Sequence, residues 1–207
     1  MDLRKTAAAF LASMTLTASF DRTGLADAPV PHSHQHEGVA EKFPEHPAAG
    51  EDAPDFRLRD LSGRWIGLGE YLGRGYLVLL FCSVSSPSFR KTALQMDRLA
   101  KNWERLEVKV VAVYTREAHP AALRKRAPRS YRERAALARQ AWADLKLKIP
   151  VLIDEWEDPV HRTYGAMPGS AFLLDAHGKI VARHIQASAD SMEKELQREL
   201  RVTVPPE

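Results

Sequence analysis

One cysteine, Cys82, is present in 207 residues. A lone cysteine excludes an intramolecular disulfide framework, a dithiol C-x-x-C pair, and a cysteine-based zinc or iron-sulfur centre. Long apolar runs are also missing: the longest, near the N-terminus, is interrupted by Thr and Ser and falls short of the roughly eighteen residues of a membrane span. The mature chain is therefore expected to be soluble, with no stable membrane span. Its length suits one globular domain with flanking segments and is short for two.

The formal net charge of +3 conceals a segregation. Residues 1–28 balance to zero. Residues 29–54 carry Glu37, Glu41, Glu45, Glu51 and Asp52 against Lys42, a net of −4, which leaves +7 for the rest. The basic residues of that remainder cluster between Leu123 and Arg134. Without interleaved aromatic residues this cluster reads as a solvated loop and helix face, and no nucleic-acid partner is expected.

Residues 1–28 have a basic start, a short apolar stretch and the A-x-A site Ala26-Asp-Ala28, the pattern of a secretory signal. Export to the periplasm or medium is expected, with a cytoplasmic location as the alternative. Residues 29–54 hold five prolines and four of the eight histidines, and few large apolar groups. This composition predicts a disordered linker. Within it His32, His34 and His36 alternate, close enough to converge on Zn, Cu or Ni; a polar, pH-titrating tail is the other reading.

From residue 55 the pattern is that of an α/β domain. Phe56–Arg59 and Trp65–Gly67 flank a turn and predict an opening hairpin. The continuous apolar run Tyr76–Phe81 predicts a buried central strand. A helix is expected from Pro87 with Ser86 as its N-cap, carrying Phe89, Ala93, Met96 and Trp103 inward. Val108–Tyr114 reads as a second strand. Ser130-Tyr-Arg-Glu133 reads as a capping box opening a helix to about Leu145, with Leu137, Ala138, Ala141, Trp142 and Leu145 on one face. A short strand at 150–154, a helical turn at 157–164, a hairpin of 171–175 with 180–184, and a helix from Asp190 to Leu200 complete the order. Parallel central strands with an antiparallel edge hairpin follow. His161, His177 and His184 carry no spacing signal and read as surface residues.

Several strings together resemble the thioredoxin superfamily, in the redoxin branch that includes the iodothyronine deiodinases, over residues 52–200. They are Leu77–Phe81 leading into Ser86-Pro-Ser-Phe-Arg90, Val113-Tyr-Thr-Arg-Glu-Ala-His-Pro120, Ile149–Asp154, and Tyr164-Gly-Ala-Met-Pro168 before Phe172–Asp175. The resemblance implies a thioredoxin-like three-layer sandwich, a central mixed β-sheet with helices on both faces. It implies thiol-dependent redox chemistry or reductive dehalogenation with a thiol reductant. It aligns Ser86 with the cysteine or selenocysteine nucleophile and Phe89 with the second cysteine of a dithiol pair. It places Glu117 and His119 near the active site, His119 as proton donor and Glu117 as its orienting partner. Pro87, Met167 and Pro168 would line a groove for a small molecule or peptide.

A serine hydroxyl is too weak an acid for a helix N-terminus to ionise, and it has no accessible redox couple. Cys82, four residues earlier at a strand end, reads as a buried thiol with a raised pKa; acting alone as a redox centre is its other reading. Two functions therefore stand: an exported oxidoreductase of the redoxin and deiodinase-like group, or a catalytically silent binding module on the same fold. A serine hydrolase would want a G-x-S-x-G elbow, which is absent.

Overall fold

A computed structural model of the chain describes residues 47–123 and 126–201. The signal sequence expected at 1–28 and the alternating histidines His32, His34 and His36 lie outside the described residues. The fold reaches back further than residue 55. Gly50 N–H donates to the Ile180 carbonyl at 2.7 Å and Ala53 N–H to that of Gly178 at 2.8 Å. Residues 47–54, expected in the linker, therefore belong to the domain.

Among the described residues one seven-stranded sheet forms, in the order β2-β1-β5-β4-β3-β6-β7. Its strands are β1 (Arg57–Asp60), β2 (Trp65–Gly67), β3 (Leu77–Cys82), β4 (Lys109–Tyr114), β5 (Val151–Ile153), β6 (Ala171–Leu174) and β7 (Ile180–His184). The three central strands β3, β4 and β5 run parallel, and antiparallel hairpins flank them on both sides. All six residues of β3 are buried, as a continuous apolar run demands when both faces of a parallel sheet are covered.

The helices are α1 (Phe89–Asn102), α2 (Tyr131–Leu145), α3 (Pro159–Thr163) and α4 (Ala189–Leu200). On one face α1, α2 and α4 bury Met96, Trp103, Trp142, Met192 and Leu196 against Val78, Leu80, Val110 and Ala112. On the other, Phe56, Ile66, Leu68 and the α3 region with Tyr164 cover Leu79, Phe81, Val111 and Phe172. Each such large side chain contributes roughly 1.5–3 kcal/mol by leaving water. Among the described residues helices thus occupy both faces, α1, α2 and α4 on one and the short α3 on the other.

Two helix starts differ from the sequence pattern. Helix α1 begins at Phe89 with Ser88 as N-cap, two residues beyond the expected Ser86. Residues 83–88 are instead held in turns, where Ser86 N–H donates to the Ser83 carbonyl and Phe89 N–H to that of Ser86. At α2, Ser130 Oγ accepts Glu133 N–H at 3.3 Å as a cap should. The Glu133 carboxylate, however, takes the N–H of Arg129 at 2.7 Å rather than that of Ser130.

The loop into β3 is constrained at Gly75, whose φ is +57° and whose Cα faces the Glu107 backbone so closely that a Cβ would collide with the Glu107 carbonyl. Gly75→Ala is expected to cost about 1–3 kcal/mol, read as a lower urea midpoint at unchanged slope.

Candidate functional site

Strand register brings several loops to one edge. Cys82 lies opposite Tyr114, and Tyr114 opposite Ile153, so β3, β4 and β5 end level. Strand β6 enters beside them, with Ala171 opposite Leu80. In sheets of this kind ligands bind outside the carboxyl ends of the parallel strands.

The loop after β3 is stitched to the segment after β4. Two of its serines turn inward from the turns that hold it. Ser83 and Ser85 are buried, and their hydroxyls accept the N–H groups of Ala118 at 3.2 Å and His119 at 2.9 Å. Glu117 completes the join. Its Oε2 accepts Ser85 N–H at 2.8 Å, and its Oε1 accepts the Tyr114 hydroxyl, which itself accepts Val84 N–H at 3.2 Å. Buried backbone donators need such partners. With one carboxylate oxygen engaged by the loop and the other by the Tyr114 side chain of β4, Glu117 ties loop to strand; it makes no hydrogen bond or ion pair with the His119 ring. Burial, then the Glu117 charge, pushes the Tyr114 phenol well above its ordinary range, so it stays a donor.

Ser86 and His119 remain at the surface of this construction. Ser86 is half-buried with its Oγ 3.4 Å from Ser88 Oγ, and Pro87 and the His119 side chain are exposed. His119 enters the network only through its backbone N–H. The structure thus brings Ser86 and His119 to one edge without a hydrogen bond between their side chains.

Cys82 faces inward, 4% exposed. Burial, followed by the Glu117 charge, pushes its thiol far above the usual range. It lines a small pocket behind the loop together with Ser86, Phe89, Thr92 and Gly169, with room for about one water molecule. The turn holding Met167 and Pro168, just before β6, is tied to the end of β3. Ser170 Oγ accepts Met167 N–H at 2.9 Å, and Gly169 N–H donates to the Phe81 carbonyl at 2.7 Å. Met167 and Pro168 are both half-buried.

A second polar cluster lies at the ends of β4 and β5, and the sequence pattern did not reveal it. Arg134 is 3% exposed and pairs with Asp158 at 2.9 Å. Asp154 accepts the N–H groups of Glu155, Val160 and His161. Burial nonetheless pushes its carboxyl up to about 6. His161, expected at the surface, is buried beneath this cluster, and its Nδ1 has no hydrogen-bond partner. Desolvation, then the Arg116 charge, lowers its pKa. His184 is also drawn in, 3.2 Å from Glu195, whereas His177 is exposed. One signal was available: Arg134, Ala138 and Trp142 share the i, i+4, i+8 stripe that α2 buries.

Among the described residues no group of His, Cys, Asp and Glu is placed to hold a metal ion. No helix there is long and apolar enough to cross a membrane.

Two measurements follow from these environments. Native Cys82 should react with iodoacetamide at pH 8 at least about a hundredfold more slowly than in denaturant, because the thiolate is suppressed and shielded; comparable rates would contradict its burial. Asp154 holds its proton in the folded state above the pH at which the unfolded chain releases it. At Asp154 folding then takes up a proton between about pH 4 and 6, and the stability this group contributes falls as pH rises through that window, while the lowered His161 acts in the opposite sense. Urea titrations should show the stability of wild type relative to Asp154→Asn falling across that window.

Comparison with known proteins agrees with this geometry. The family model described as AhpC/TSA family matches residues 49–183. The chain is 30% identical over 134 residues to the thiol-disulfide oxidoreductase ResA of Geobacillus thermodenitrificans, covering 64% of this chain and 67% of that one. It is 25% identical over 157 residues to the ResA of Bacillus thuringiensis subsp. konkukian, covering 75% and 79%. Among solved structures, the thioredoxin domain of a thiol-disulfide oxidoreductase from Bacteroides vulgatus superposes with a TM-score of 0.56 at 19% identity, covering 72% of this chain and 98% of that one. The chain belongs to the AhpC/TSA family and is a thiol-disulfide oxidoreductase-like protein of thioredoxin fold.

Proposed function

We propose that this protein is an exported, ligand-binding member of its family, which uses the Ser86 edge to hold an extended peptide or small aromatic ligand and does not itself exchange thiols. The observation that carries this reading is the state of the one thiol in the sequence. Cys82 is buried at the end of β3 with its pKa raised, whereas the half-buried loop position next to α1 is a serine. The resemblance to deiodinases and redoxins assigns that position to the nucleophile. A hydroxyl there can donate and accept hydrogen bonds but cannot form a disulfide or be reduced.

The surroundings suit binding. Pro87 and His119 are exposed, and Met167 and Pro168 are partly accessible on the adjoining turn. They offer apolar surface beside an imidazole able to donate or accept a hydrogen bond. Export is part of the proposal on the strength of residues 1–28. Binding of Zn, Cu or Ni by His32, His34 and His36 is a separate and secondary element of it.

A second reading, thiol-dependent redox or reductive dehalogenation through Cys82 with an external thiol as reductant, draws on the small pocket that Cys82 and Ser86 both line. One panel separates the two. Wild type, Ser86→Cys and Cys82→Ser are assayed for dithiothreitol-driven reduction of insulin disulfides and for deiodination of an iodothyronine. The binding reading expects wild type and Cys82→Ser at background and a gain only in Ser86→Cys. An active wild type that Cys82→Ser abolishes would replace it with the redox reading.

A further inference from the structure

The Arg134 and Asp158 pair is buried, and its geometry reaches beyond α2. Arg134 Nη1 lies 2.9 Å from Asp158 Oδ1 and donates to the carbonyls of Asp154 at 3.0 Å and Glu155 at 2.7 Å. Its guanidinium carbon sits 5.0 Å from the centre of the Trp156 ring. The same Asp158 oxygen accepts the backbone N–H of Arg116 at 3.1 Å. Arg116 directly precedes Glu117, whose carboxylate holds Ser85 N–H at 2.8 Å. An unbroken series of contacts thus runs from α2 through Asp158 and residue 116 to the loop that presents Ser86.

Simple packing would not call for these groups. Apolar side chains of similar size hold a helix on a sheet as well as a buried ion pair does, and often better. What they cannot do is accept an N–H at residue 116 while being held by a guanidinium that also satisfies carbonyls of the neighbouring loop. Asp158 has the left-handed backbone, φ +53°, rare for a residue other than glycine. That conformation is kept in the residue whose side chain joins the two loops.

We propose that Asp158, held by Arg134, is a positioning residue for the Ser86 edge: it fixes the segment after β4 at Arg116 and thereby sets where Glu117 holds the Ser85–Ser86 loop. The functional consequence rests on the reading of that edge as the ligand site. The coupling itself is measurable without any ligand or activity, so the two can fail separately.

The test is amide hydrogen exchange on the full chain, resolved by NMR, in wild type, Asp158→Asn, Arg134→Lys and Arg134→Met. In Asp158→Asn and Arg134→Met, exchange at Arg116, Ser85 and His119 is expected to accelerate about tenfold or more beyond any change at Val111 in the core of β4. Arg134→Lys, which keeps the charge but not the fork, should fall between these variants and wild type. Unchanged exchange at Ser85 and His119, or acceleration only in step with Val111, would overturn the proposal and leave the pair a part of global stability alone. If the variants do not fold, wild type decides the matter. Arg116, Ser85 and His119 should then share one sub-global opening, with a common dependence on low urea concentrations. Independent dependences would contradict the coupling.

Discussion

The Glu117 carboxylate is the interaction on which the rest of the candidate site depends. One of its oxygens holds Ser85 N–H and the other the Tyr114 hydroxyl, which in turn accepts Val84 N–H. Parallel strands cannot be joined by a tight turn, so β3 and β4 are linked only through α1 and the loops at its ends. Without a lateral tie, the residues between Cys82 and Phe89 would have buried backbone donors and no ladder to satisfy them. A charged acceptor shared by two donors from that loop and strand supplies the tie, and hydrogen bonds to charged groups are the stronger kind. Ser83 and Ser85 extend it to Ala118 and His119.

This arrangement separates scaffold from chemistry. The stitched loop leaves Ser86 at the site surface and turns Cys82 inward, where burial and the nearby Glu117 charge both oppose thiolate formation. The same carboxylate that orders the loop therefore disfavours the one thiol as a nucleophile. A loop held this firmly is preorganised, which lowers the ordering cost of binding. The Arg134 and Asp158 pair continues the logic toward α2, because it anchors the chain one residue before Glu117.

Much of the fold was legible in sequence, for physical reasons tied to particular segments. The apolar run at 77–81 has no polar face and so fits only a strand covered on both sides, as β3 is. Met192 and Leu196, four apart, mark the buried stripe of α4. The strand at 109–114 and the hairpin of β6 and β7 followed in the same way. The start of α1 was less legible, since Pro87 and Ser86 suit a helix start locally, while turns that serve the join to β4 delay the helix to Phe89. For the candidate site, the placement of its segments at one end of the sheet was legible and their contacts were not. Ser86, Glu117, His119, Pro87, Met167 and Pro168 do come from the segments at one end of the sheet, but the partners of Glu117 are Ser85 and Tyr114, contacts across 32 and 3 residues that periodicity cannot indicate. Burial of Arg134 and Asp158 was hidden because a charge reads as exposed until its partner, distant in sequence, is known, and that of His161 because no spacing in the sequence marks it.

The central claim, that the Glu117 carboxylate preforms the Ser86 loop, is tested most directly by the Ser85 amide proton. Its hydrogen-exchange rate is measured by NMR at one fixed pH in wild type and Glu117→Ala, beside that of Val111 in the core of β4. The account predicts that exchange at Ser85 accelerates about tenfold or more in Glu117→Ala beyond any change at Val111. A Ser85 amide that exchanges equally slowly in both proteins would contradict it.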